Sequence, residues 1–220
     1  AFGATSPGTI GAVNSGAGGG GGGGGTPCAY TSYSSHRQAG AGGSGIVVVS
    51  YGESTSVATS GTCNPEIYTA TESGSTYIVY EVTQLESCEF VLPPGVSNVD
   101  VYAVGGGGGG GNNVGGGGGG AGSSKRSFSL TSGQSISIDV GDGGAGGINV
   151  NSTLRHGQNG QDTTVAVPSG GAVNVTARGG KGGETHYSNL LCSGSGLAFQ
   201  GGAGGAASTG GSSGAAGGDG

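Results

Sequence analysis

Short runs of β-branched and aromatic residues, separated by turn residues, set the pattern of this chain. Ile46–Tyr51 (IVVVSY) is apolar except for Ser50 and reads as a strand buried on both faces. EIYTATE (66–72) and STYIVYEVT (75–83) flank Ser73-Gly74, a two-residue hairpin signal. CEFVL (88–92) is a strand that ends at a turn, Pro93-Pro94-Gly95. In the next strand, 98–104, Val99, Val101 and Ala103 alternate with Asp100, Tyr102 and Val104, as expected of one buried face. KRSFSL (125–130), QSISIDV (134–140), QDTTVAV (161–167) and AVNVTAR (172–178) continue the series. Strands mostly about ten residues apart, with turn residues between them, predict an all-β sandwich with essentially no α-helix.

The intervening stretches raise a different question. Of the sixteen residues from Gly105 to Gly120, thirteen are glycine. Gly18–Gly25 is an unbroken octet. In the tail, positions 202, 205, 208, 211, 214, 217 and 220 are all glycine except Ser208. A three-residue period is that of a polyproline-II helix, which has no internal hydrogen bonds and turns its N–H and C=O groups outward. Side by side, such glycine helices can pair those groups because no Cβ holds the backbones apart. A flexible linker is the alternative. The strand that runs into the run at Val104, the period-three tail and the recurrence of similar segments favour a bundle of polyglycine-II helices, combined with the sandwich.

Composition narrows the function. The chain has 220 residues, 60 of them glycine, with 8% charged residues and a net charge of −6. Collagen's strict triplet with abundant proline is missing. The only adjacent cations are Lys125-Arg126, so nucleic acid is not an expected partner. No apolar run has membrane-spanning length. The sequence starts at Ala1 and contains no methionine, from which removal of a signal peptide and an extracellular or cell-surface location are expected. Two sequons, at Asn151 and Asn174, are potential glycan sites.

The candidate chemistry is sparse. His36, His156 and His186 lie in polar or glycine-rich loops and read as loop residues. Asp139 and Asp142 in DVGDGG lack the further carboxylates of a calcium loop and read as a turn. No convergent nucleophile, base and orienter is visible, so no catalytic residue, metal or cofactor is expected and the chain is not read as an enzyme. The four cysteines suit an oxidising compartment. Of three connectivities, Cys63–Cys88 and Cys28–Cys192 are expected; the first pair flanks the hairpin and would staple the strand preceding it to the sandwich. Tyr30, Tyr33, His36, Arg37, His186 and Tyr187 share polar-aromatic loops. These either contact a partner such as a receptor or glycan, as Tyr-rich paratopes do, or cap the bundle.

CEFVLPPGVSNVDVYAVGGGGGGG resembles the start of glycine-rich domains of bacterial cell-surface and phage tail-fibre proteins. Those domains open with a Cys/aromatic strand, a P-x-G-V turn, an apolar strand and polyglycine. SISIDVGDGGAGG, GQNGQDTTVAV and VTARGGKGG match later stretches, and AGGSGIVVVSY is similar to the closing strand. The resemblance implies a small β-sandwich joined to a polyglycine-II lattice, related to those of phage adhesins and of the extracellular glycine-rich region of anaplastic lymphoma kinase. The order is unusual, because the closing strand precedes the opening one. Residues 1–51 look like the end of a domain, 52–62 a linker, and 63–220 a domain lacking its end. A window cut from a tandem array, a circular permutation, or completion of a neighbouring subunit would each account for this. The last makes Ile46, Val47, Val48, Val49 and Tyr51 a subunit-exchange strand. It makes the chain a homopolymer, the structural subunit of an extracellular filament. The alternative is a receptor-binding adhesin module.

Overall fold

A computed structural model describes residues 7–22, 38–52, 61–112, 116–131, 133–148, 156–167, 173–184, 201–206 and 212–216. The strands in these residues are β1 (Ile46–Gly52), β2 (Glu66–Glu72), β3 (Ser75–Val82), β4 (Cys88–Val91), β5 (Asn98–Val104), β6 (Ser123–Ser129), β7 (Ser135–Asp139), β8 (Thr163–Ala166) and β9 (Val173–Ala177). They form two antiparallel sheets, β2-β3-β1-β5-β6 and β4-β7-β8-β9, and no described residue is helical. The all-β sandwich expected from the sequence is present.

The turns are those the sequence requires. Ser73 and Gly74 both have positive φ (51° and 83°), as a two-residue hairpin with right-handed strand twist demands, and Glu72 pairs with Ser75 across it. Gly95 sits at φ 86°, while Val96 N–H donates to the Pro93 carbonyl at 3.2 Å to close the Pro-Pro-Gly turn.

The core is built by alternation. On β1, Val47, Val49 and Tyr51 point inward, in register with Val82, Tyr80 and Ile78 of β3 on one side. On the other side Val47 and Val49 face Ala103 and Val101 of β5. Phe90, Ile136, Ile138, Val165 and Val175 close over them from the second sheet. The Tyr80 ring meets Phe90 edge-on with centroids 4.8 Å apart, and its hydroxyl is 2.8 Å from that of Tyr51. One expectation needs correcting: β1 is not buried on both faces. Ile46, Val48 and Ser50 are half-buried, because the outer face of this sheet carries no covering layer among the described residues. Tyr102, their neighbour on β5, is exposed.

Cys63 and Cys88 form a disulfide, with their Cα atoms 4.9 Å apart. It joins the residues leading into β2 in one sheet to β4 in the other. Around it, Thr62 and Cys63 N–H donate to the Glu89 carbonyl and Glu89 N–H donates to Thr62 Oγ1, which covers part of the β4 edge. The bond closes a loop with sequence separation 25. Chain-entropy arguments put the stabilisation from such a loop at about 3.5 kcal/mol. Replacing both cysteines with serine is expected to lower the denaturant-unfolding free energy by roughly 2–4 kcal/mol; an unchanged midpoint and slope would contradict this.

Candidate functional site: a hydrogen-bonded glycine bundle

Strands β5, β7 and β9 run straight into glycine-rich segments (105–112, 141–148 and 178–184). Segments 38–45, 116–122 and 156–162 run straight into β1, β6 and β8. Both sheets therefore feed the same bundle. The junction is fastened by Thr163, whose buried hydroxyl donates to the Val104 carbonyl at 2.7 Å and accepts from Gly141 N–H at 2.8 Å.

Segment 105–111 is the bundle's centre, and every residue in it is buried. Its N–H groups go to three neighbours in rotation. Gly105, Gly108 and Gly111 donate to Gly122, Gly119 and Gly116; Gly106 and Gly109 donate to Gln161 and Gln158; Gly107 and Gly110 donate to Gly43 and Gly40. Its carbonyls are used in the same rotation. Gly180 and Gly183 donate to Gly106 and Gly109, Gly144 and Gly147 to Gly107 and Gly110, and Gly19 and Gly22 to Gly108 and Gly111. Each neighbour is met at every third residue. The centre thus has six neighbours, 16–22, 38–45, 116–122, 141–148, 156–162 and 178–184, and adjacent members of this ring are also bonded to one another. Segments 7–12, 201–206 and 212–216 lie outside the ring, bonded to its members.

This packing depends on missing side chains. A Cβ on any of Gly105 to Gly110 would lie under 3.0 Å from a neighbour's carbonyl oxygen. In the ring the side chains fall in the outward frame. Along 178–184, Arg178, Lys181 and Glu184 are exposed while Gly180 and Gly183 are buried; along 141–148, Asp142, Ala145 and Ile148 are exposed while Gly141, Gly144 and Gly147 are buried.

Some peripheral N–H groups with no neighbouring segment are met by side chains. Asp162 Oδ1 accepts from Gly179 N–H and Asn159 Oδ1 from Gly182 N–H, both at 2.9 Å, three residues apart on each side. Asp162 also pairs with the exposed Arg178 at 2.9 Å. Asp142 Oδ1 accepts from Gly143 N–H at 2.7 Å, and Gln161 Oε1 lies 3.5 Å from Asp142 N.

Residues 83–220 match the family described as a glycine-rich domain. The chain belongs to this family. The match begins just before β4, so β1, β2 and β3 lie outside the matched stretch, and the central strand of the larger sheet comes from there. No curated protein and no solved structure matches the chain.

Of the candidate residues, Ile46, Val47, Val48, Val49 and Tyr51 lie on the central strand β1, and Cys63 and Cys88 are bonded. Cys28, Cys192, Tyr30, Tyr33, His36, Arg37, His186 and Tyr187 lie outside the described residues, as do residues 53–60 of the expected linker. His156 is exposed where segment 156–162 begins. Among the described residues, no three His, Cys, Asp or Glu side chains converge as they would around a metal ion. None of those residues forms a helix long and apolar enough to cross a membrane. Sequence reasoning missed Thr163, Asn159 and Asp162. The i, i+3 spacing of Asn159 and Asp162, matching that of Gly179 and Gly182, was the available signal.

Gly108→Val is expected to abolish cooperative folding, whereas Ala145→Val, in the exposed frame, should stay within about 0.5 kcal/mol of the unmodified chain. Thermal unfolding of the two variants checks this, and similar melting of both would contradict the packing. Thr163→Val should cost roughly 1–3 kcal/mol, because Gly141 N–H and the Val104 carbonyl lose their shared partner; denaturant unfolding reads that loss.

Proposed function

We propose that this chain is the structural subunit of an extracellular filament, assembled head to tail by exchange of its amino-terminal arm. The position of β1 is the observation that carries this reading. The strand lies between β3 and β5, and residues 61–220 without it would have a sheet split at its middle. The same arm supplies segments 16–22 and 38–45, two of the six neighbours of the bundle's centre. One contiguous stretch therefore completes both halves of the body. It is joined to the body by residues 53–60, which reach up to about 29 Å when extended. The pairings β1 makes within one chain are available to the arm of a neighbour. Such a contact is heterologous and propagates without closing.

We read the glycine segments as polyglycine-II helices, on the strength of their three-residue hydrogen-bond rotation. The Cys63–Cys88 bond supports an oxidising, extracellular setting. A filament subunit is also consistent with a site made of backbone rather than of titratable side chains.

Val48 faces Glu81 across the β1–β3 pair. Chains carrying Val48→Cys and chains carrying Glu81→Cys are mixed under oxidising conditions and run on a non-reducing gel. Exchange predicts a covalent heterodimer that neither variant gives alone. Only single chains, at concentrations where filaments form, would refute it.

A further inference from the structure

We infer that the notch between segments 16–22 and 116–122 is a docking position for a glycine-rich segment of a second copy of this chain, placing copies side by side. Segments 16–22 and 116–122 are bonded to each other, since Gly118 and Ala121 donate to Gly19 and Gly16. Each also has one frame of backbone groups with no partner among the described residues. In 16–22, the N–H groups of Gly19 and Gly22 go to the bundle's centre and that of Gly20 goes to Thr9, while those of Gly18 and Gly21 meet no acceptor among the described residues. In 116–122, the carbonyls of Gly116, Gly119 and Gly122 serve the centre and those of Gly117 and Gly120 serve segment 201–206. The carbonyls of Gly118 and Ala121 serve no donor among the described residues.

By the three-residue rotation, both vacant frames border the same notch, on the side away from the centre. No Cβ fills it: Gly18, Gly21, Gly117 and Gly120 are half-exposed along it. A Cβ on Gly120 would meet nothing closer than Ala215 N at 3.4 Å, with the Gly16 carbonyl oxygen at 3.8 Å.

Two other stretches of the bundle close such groups with side chains. Between 156–162 and 178–184 the vacant N–H groups are covered by Asp162 and Asn159, and next to 141–148 Asp142 and Gln161 do the same for Gly143 and Asp142. The 16–22/116–122 edge has no such cover among the described residues. It offers donors at one wall and acceptors at the other, each recurring every third residue. A chain that matches them needs the same repeat and glycine in the facing frame, which this sequence supplies many times over. Filling the notch continues the hydrogen-bond network that already holds every segment.

The test uses the full chain carrying both Val48→Cys and Glu81→Cys, isolated as the internally crosslinked monomer so that the arm stays on its own body. Failure of arm exchange then leaves this experiment unaffected. Light scattering should show mass rising with concentration. Amide exchange at Gly18 and Gly21 should slow at least tenfold in the associated form. Adding Gly120→Val, whose side chain stands in the notch, should keep the chain monomeric with its melting temperature unchanged. If that variant melts early, the amide exchange of the unsubstituted notch decides. The inference is overturned if the locked chain stays monomeric at all concentrations, if Gly120→Val associates like its parent, or if the two amides exchange equally fast in both forms.

Discussion

Backbone hydrogen bonds between chain segments that have no Cβ between them are the constraint on which the rest of this structure depends. Fixing a residue's backbone costs about 1–2 kcal/mol, with glycine at the upper end. A typical hydrogen bond returns only about 0.5–1.5 kcal/mol net. A lone pair of glycine segments is therefore close to break-even at best. Segment 105–111 escapes this because its donors and its acceptors are distributed over six neighbours at once. A buried strand in a sheet has two neighbours, and this segment has three times as many, so its order is a property of the whole ring.

Such a ring cannot set its own register. Polyglycine offers no side chains to distinguish one alignment from another three residues along. The sandwich supplies that information. Six of its strands enter or leave the bundle directly, and their pairings are fixed by inward-facing Val47, Val49, Val101, Phe128, Ile138, Val165 and Val175. A one-residue slip would send those side chains to the wrong face. Thr163, bonded at once to the end of β5 and the start of segment 141–148, transmits that register at the point where side-chain packing gives way to backbone packing.

The sandwich was largely legible in the sequence because its signals are local. Alternation in 98–104, Ser73-Gly74 and Pro93-Pro94-Gly95 each specify their own structure, and the strands lie within about two residues of the expected bounds. The glycine runs were legible only through what surrounds them and how they recur: the strand entering at Val104, the period-three glycines of the tail and the repetition of similar segments. Which segment neighbours which was not legible, since the glycines at 108 and 118 look identical in sequence. IVVVSY misled in one respect. An apolar run signals burial on both faces when a layer covers each, and here the outer face has Tyr77, Val79 and Tyr102 beside it but no described element over it.

The division of labour has a thermal consequence. Unfolding the sandwich exposes apolar surface from Tyr80, Phe90, Ile136 and their neighbours, which raises the heat capacity and makes its stability fall away on cooling as well as on heating. Unfolding the bundle exposes chiefly peptide groups, whose hydration changes the heat capacity in the opposite sense. The two halves of one continuous set of strands and segments thus have stability curves of different curvature. The apolar half bends strongly with temperature, while the glycine half stays comparatively flat, and the cold limit of the molecule is set where the register is held.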